Sequence, residues 1–147
     1  MSSAVKILIG VSILLTISCN NKKQKSTNEN DLSNINLLTH KESQSESMQA
    51  LLSSEPEKIS VDENGCIRIK DYLIIWPFGF KIIDKNNKLT IVDNEGNFVA
   101  NIGDKVIVGG GECAGCSINY ITKITGTNLN KKCEGIYWII GGEIRSE

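Results

Sequence analysis

The chain has one histidine, two prolines and only eight aromatic side chains among 147 residues. The histidine, His40, stands in a polar stretch ahead of the apolar half, so chemistry built on an imidazole is not expected in the domain that follows. An excess of either charge is missing too: 16 basic side chains face 17 acidic ones. Nothing announces a basic face, and nucleic acid is not an expected partner. Alanine is scarce, four against 22 isoleucines, which favours strands over helices. No apolar run reaches the roughly 20 residues of a membrane-spanning helix. The first, Ile7 to Ile17, has 11.

What is present is unevenly placed. Residues 20–58 contain no glycine, aromatic or cysteine, whereas residues 60–147 hold 12 of the 13 glycines, every aromatic and four of the five cysteines. Only the latter segment can bury a core, and it makes one small domain. A domain of that size is marginal without a staple, which gives its cysteines a structural task. The organisation expected is a signal peptide over 1–18, a lipidated cysteine and flexible tether over 19–58, and a β-domain over 59–147. The tether is rich in Ser, Asn, Gln, Lys and Glu, which bury too little apolar area to offset ordering entropy. His40 reads there as a solvated residue.

Met1 to Lys6 and the apolar stretch after it have the form of a secretory signal. Leu15-Thr16-Ile17-Ser18-Cys19 resembles the lipobox of bacterial lipoprotein signal peptides, with Thr16 where leucine is usual. That resemblance implies a diacylglyceryl group on the Cys19 thiol, cleavage before it, and acylation of the new amine. It places the domain outside the cytoplasm, held to a membrane through the N-terminal lipid.

From Ile59 the pattern becomes that of strands. Cys66 to Lys70 alternates, and Tyr72 to Trp76 is a short β-branched and aromatic run. Further strand signals follow over 78–83, 89–93, 98–100, 105–108, 118–124 and 136–140. Asp84 to Lys88 and Asn94 to Asn97 read as turns. The expectation is an all-β domain: a small closed or partly open barrel, OB-like, or a sandwich, with the short turns suggesting a meander. Gly109, Gly110 and Gly111 read as a bulge or a barrel corner where backbones approach. They formally fit a dinucleotide-binding glycine pattern with Ala114, but the βαβ context it needs is missing.

Several of these residues occur together in a recognisable order: Gly65-Cys66-Ile67-Arg68, Trp76-Pro77-Phe78-Gly79-Phe80, Asp93, Gly96, Val99-Ala100, Gly103-Asp104, Gly109 to Glu112, and Cys133 to Trp138. The set resembles small bacterial secreted and lipoprotein domains. The resemblance implies an extracytoplasmic β-domain and brings no established activity with it.

Four cysteines remain after Cys19, and they admit three readings. Two structural disulfides, Cys66–Cys133 and Cys113–Cys116, suit a small secreted domain. Cys113-Ala114-Gly115-Cys116 could instead be a thiol-redox site, although Ser117 to Tyr120 looks β-like and no helix is expected after it. Third, four thiolates could hold a metal, but only one C-x-x-C exists. Among the aromatics, Tyr137 and Trp138 cannot both face inward in a regular strand. Core packing is the first reading of Trp76, Phe78, Phe80, Tyr137 and Trp138 in a small barrel, and Trp76, Tyr137 and Trp138 are the candidates for the alternative, a binding surface toward an envelope protein or a glycan. No catalytic group, cofactor or metal ligand set stands out. Binding or structural service in the envelope is the expected function.

Overall fold

The computed structural model describes residues 34–43, 50–52, 54–129 and 133–147. The signal segment 1–18, Cys19 and the lipidation expected there lie outside the described residues. The fold is all-β with one short helix. Strands β1 (Leu38–Thr39), β2 (Ala50–Leu51), β3 (Glu57–Val61), β4 (Ile67–Ile69) and β5 (Tyr72–Trp76) come first. A hairpin sheet of β6 (Lys81–Lys85), β7 (Lys88–Val92) and β8 (Phe98–Asn101) is inserted before β9 (Lys105–Glu112), helix α1 (Ile118–Thr125) and β10 (Ile136–Ser146).

Five strands form a partly closed barrel. β5 lies parallel to β10, β10 antiparallel to β9, β9 to β3, β3 to β4 and β4 back to β5. Two of these junctions are brief: β3 meets β9 only at Glu57 and Lys58, and β4 meets β5 only at Arg68 and Ile69. The N-terminal segment extends both of the short seams. β1 pairs with Ile75 and Trp76, beyond the point on β5 where β4 stops. β2 pairs with Gly109 and Gly110, beyond the point on β9 where β3 stops. Residues that composition assigns to a tether thus complete the sheet. The turns build two local meanders, β3 to β5 and β6 to β8, but the parallel β5–β10 pair means that no single meander runs through the fold.

That parallel pair is buried on both faces, as strands covered from both sides are. Ile74, Trp76, Trp138 and Ile140 point into the barrel with Ile59, Ile67, Ile69, Val106 and Val108. Ile91 and Ala100 of the hairpin sheet close the same core. Leu73, Ile75 and Tyr137 point the other way, onto Leu38, Ile121, Leu129 and the Cys66–Cys133 pair. Gly110 in β9 makes room for this arrangement, since a Cβ there would meet the Ile139 carbonyl oxygen and come 2.8 Å from Trp138 Nε1. The glycine run is therefore a place of close backbone approach within β9, facing the register shift between Ile140 and Ile144 of β10, rather than a corner.

One element differs in kind from the expectation. Residues 118–124 form helix α1 rather than a strand. Ser117 caps its start, with the hydroxyl accepting from the Tyr120 N–H, and Gly126 ends it at φ 72°. Ile121 is buried from the inner face of the helix, against the outer side of β5 and β10. Packing of that face outweighs the weak helix propensity of its isoleucines and threonines.

Candidate functional site

The cysteines are paired as Cys66–Cys133 and Cys113–Cys116. The first bridge is wholly inside, with Cys66 and Cys133 0% and 1% exposed. It joins the start of β4 to the loop entering β10, and neighbouring side chains fix both ends. Asp62 Oδ1 accepts from the N–H groups of Asn64 and Cys66, while Arg68 Nε donates to Asp62 Oδ2 at 2.7 Å. Arg68 also donates to the carbonyls of Asp71 and Glu134, reaching the loop that carries Cys133. Tyr137 donates its hydroxyl proton to the Cys133 carbonyl at 2.6 Å. Partial burial works against the Asp62 charge, but the hydrogen bonds from Cys66, Arg68 and Asn64 outweigh it and hold the carboxyl below its ordinary value.

The second bridge sits at the surface. Cys113 directly follows β9, and its N–H donates to the Tyr137 carbonyl at 2.8 Å. The Cys116 N–H turns back to the Cys113 carbonyl at 3.2 Å. Ala114 and Gly115 are exposed, both cysteines are half-buried, and the next residue, Ser117, caps α1. All four sulfurs are held in disulfides, and no group of three or more metal-ligating side chains occurs among the described residues.

The aromatics are not where alternation along a single strand suggests. Trp76, Tyr137 and Trp138 are 0%, 2% and 6% exposed. Tyr137 and Trp138 do face opposite sides of β10, but α1 and the N-terminal segment cover the outer one, so neither side is open. None of the three offers a binding surface.

The exposed large aromatics lie elsewhere, at Phe78, at Phe98 of the hairpin sheet and at Tyr120 of α1. Phe98 flanks a cleft of about 470 Å³ with Pro77, Phe80, Asp93, Val99 and Ile144. The Pro77–Phe80 loop abuts the turn after Asp93 closely, because a Cβ on Gly79 would lie 2.6 Å from Asn94 Cβ. Asp93 organises that turn, accepting from the Glu95 and Asn97 N–H groups and from the Asn97 side chain. The Asn97 amide chiefly, against a smaller cost of desolvation, lowers the Asp93 pKa. The far wall is the end of β10. There Ile144, Arg145 and Ser146 pair with β9 on one side, and no strand among the described residues pairs with the other side. Phe98 reaches this cleft because the β7–β8 register shifts between Ile91 and Val92, turning the ring outward while Ala100 stays buried. A bulge of that kind leaves no mark in the sequence.

His40 is inside the fold rather than solvated. It is 4% exposed, and neither ring nitrogen has a hydrogen-bond partner among the described residues. Its backbone N–H donates to the Trp76 carbonyl. Desolvation lowers its pKa.

Comparison of the chain with protein-family models, curated proteins and solved structures finds no match.

Proposed function

We propose that this chain is a cell-envelope lipoprotein, anchored through a lipid on Cys19, whose disulfide-stapled β-domain works outside the cytoplasm by binding an extended peptide segment of another envelope protein. Two disulfides in one small domain support an oxidising compartment. The buried, unpartnered ring of His40 favours binding over acid–base catalysis. The observation that carries the reading is the edge of β10 at Ile144 to Ser146, which no strand among the described residues pairs, beside the exposed Phe98. An added strand could draw main-chain hydrogen bonds from that edge and seat alternate side chains against Pro77, Phe80 and Phe98. Asp93 already spends its carboxylate on its own turn, so the seat offers the apolar side chains of Pro77, Phe80 and Phe98 beside polar surface that includes Ser146.

Selection of a displayed random-peptide library on the purified protein tests this. Enriched peptides are expected to lose about tenfold or more in affinity for Phe98→Ser, a hot-spot effect, and to bind Lys85→Ser unchanged. Failure to enrich any Phe98-dependent peptide overturns the reading. Binding of soluble glycan fragments at the same cleft would overturn it in favour of a glycan partner.

A further inference from the structure

The two disulfides differ in every respect that governs exchange. Cys66–Cys133 spans 67 positions and is shut inside the protein. Cys113–Cys116 spans three positions and is half-exposed beside the open backbone of Ala114 and Gly115. Apart from its two chain neighbours, no residue among those described has a heavy atom within 4 Å of where a Gly115 side chain would begin. The short loop also contributes less to the fold than the long one, since chain-entropy stabilisation grows with the length of the loop closed. Both ends of the short bridge are held without it, Cys113 by its bond to the Tyr137 carbonyl and Cys116 by the capped start of α1. Opening it leaves the barrel intact.

The surroundings also distinguish its two sulfurs. Cys116 directly precedes the N-cap of an eight-residue helix with no acid in its first turn. Free N–H groups and the helix dipole there stabilise a thiolate. Cys113 follows β9 on the far side of the loop from that helix start, next to Glu112, whose carboxylate accepts from the Tyr72 hydroxyl at 2.9 Å. The better leaving group is therefore Cys116.

We propose that Cys113–Cys116 is a thiol–disulfide exchange site that accepts two electrons from a dithiol protein of the envelope, while Cys66–Cys133 stays closed. The donor's thiolate attacks Cys113 Sγ, forming a mixed disulfide as the Cys113–Cys116 bond breaks and Cys116 departs as thiolate. The donor's second thiolate then attacks its own sulfur in that mixed disulfide and releases Cys113. The donor ends as a disulfide, and its two protons end on Cys113 and Cys116. The site lies apart from the Phe98 cleft, and the proposal stands independently of the peptide-binding reading.

The test uses the full chain in graded dithiothreitol buffers, with alkylation, mass mapping of each cysteine, and circular dichroism. Cys113 and Cys116 are expected to become alkylated at a reductant ratio at least tenfold lower than Cys66 and Cys133, with the spectrum unchanged. In Cys113→Ser the remaining Cys116 thiol is expected to titrate below about 8.5, the value of a free thiol. In Cys116→Ser, Cys113 is expected to exchange with oxidised glutathione, keeping one half as a stable mixed disulfide and releasing the other as reduced glutathione. Reduction of both bridges together, or a Cys116 thiol that titrates no lower than Cys113, overturns the proposal. Where a single-serine variant fails to fold, the reductant titration of the unmodified protein decides.

Discussion

His40 is buried, and neither ring nitrogen has a hydrogen-bond partner among the described residues to offset a charge on it. Its pKa in the folded state is lowered by desolvation from the ordinary 6.5. The unfolded chain therefore binds the proton more readily, and the sign follows: stability is full above pH 6.5 and falls as pH drops below it. The slope for one such proton reaches at most about 1.4 kcal/mol per pH unit. Asp62 and Asp93, whose pKa values are lowered, lose their contribution only further down, through the carboxylate range. Thermal midpoints between pH 7.5 and 5 therefore isolate the imidazole. The unmodified protein is expected to lose stability across that window and His40→Phe to lose markedly less; equal losses would contradict the account. Because His40 also sits at the seam where β1 meets the end of β5, the loss should be accompanied by release of the N-terminal strand.

Among the elements, α1 shows best how local signals and propensity compete. Its isoleucines and threonines argue for a strand, yet Ser117 and Gly126 stand at the two positions where a helix of this length is capped. Ser117→Ala is expected to cost about 1 kcal/mol in urea unfolding, and Ser117→Asp to keep most of the stability; an unchanged midpoint for the alanine variant would show that the cap carries no weight. Most of the strands were legible because alternation and turn residues coincide. Tyr72 to Trp76 was recognised end to end, and Asn86 and Asn87 both take the positive φ of a two-residue hairpin turn. The helix is the element the sequence reading missed: its caps and the spacing of Ile118, Ile121 and Ile124 carry a helical signal, but the β-branched content reads as a strand. The candidate site was not legible either. Burial of Tyr137 depends on α1, burial of Trp76 on the barrel core, and exposure of Phe98 on a register shift, and all three arise from tertiary placement. The N-terminal strands were hidden for a related reason, since two-residue pairings such as Leu38–Thr39 are too short to show a period.

At the scale of the whole molecule, closure is the problem the fold must solve. Two of the five barrel seams are two-residue contacts, and β1 and β2 lengthen those seams by only two pairings each. The Cys66–Cys133 bridge ties the β4 side of the barrel to the loop entering β10 across 67 positions. Arg68 reinforces the same junction through Asp62 and the Glu134 carbonyl. A covalent link of that span contributes about 4 kcal/mol, a large fraction of the stability of a small domain. It also ties folding to an oxidising compartment, the setting implied by the proposed lipid anchor. The most direct test is urea unfolding of the protein carrying Cys66→Ala and Cys133→Ala, with Cys113–Cys116 left intact. The account predicts a loss of about 4 kcal/mol or the disappearance of a cooperative transition. A midpoint equal to that of the unmodified protein would contradict it.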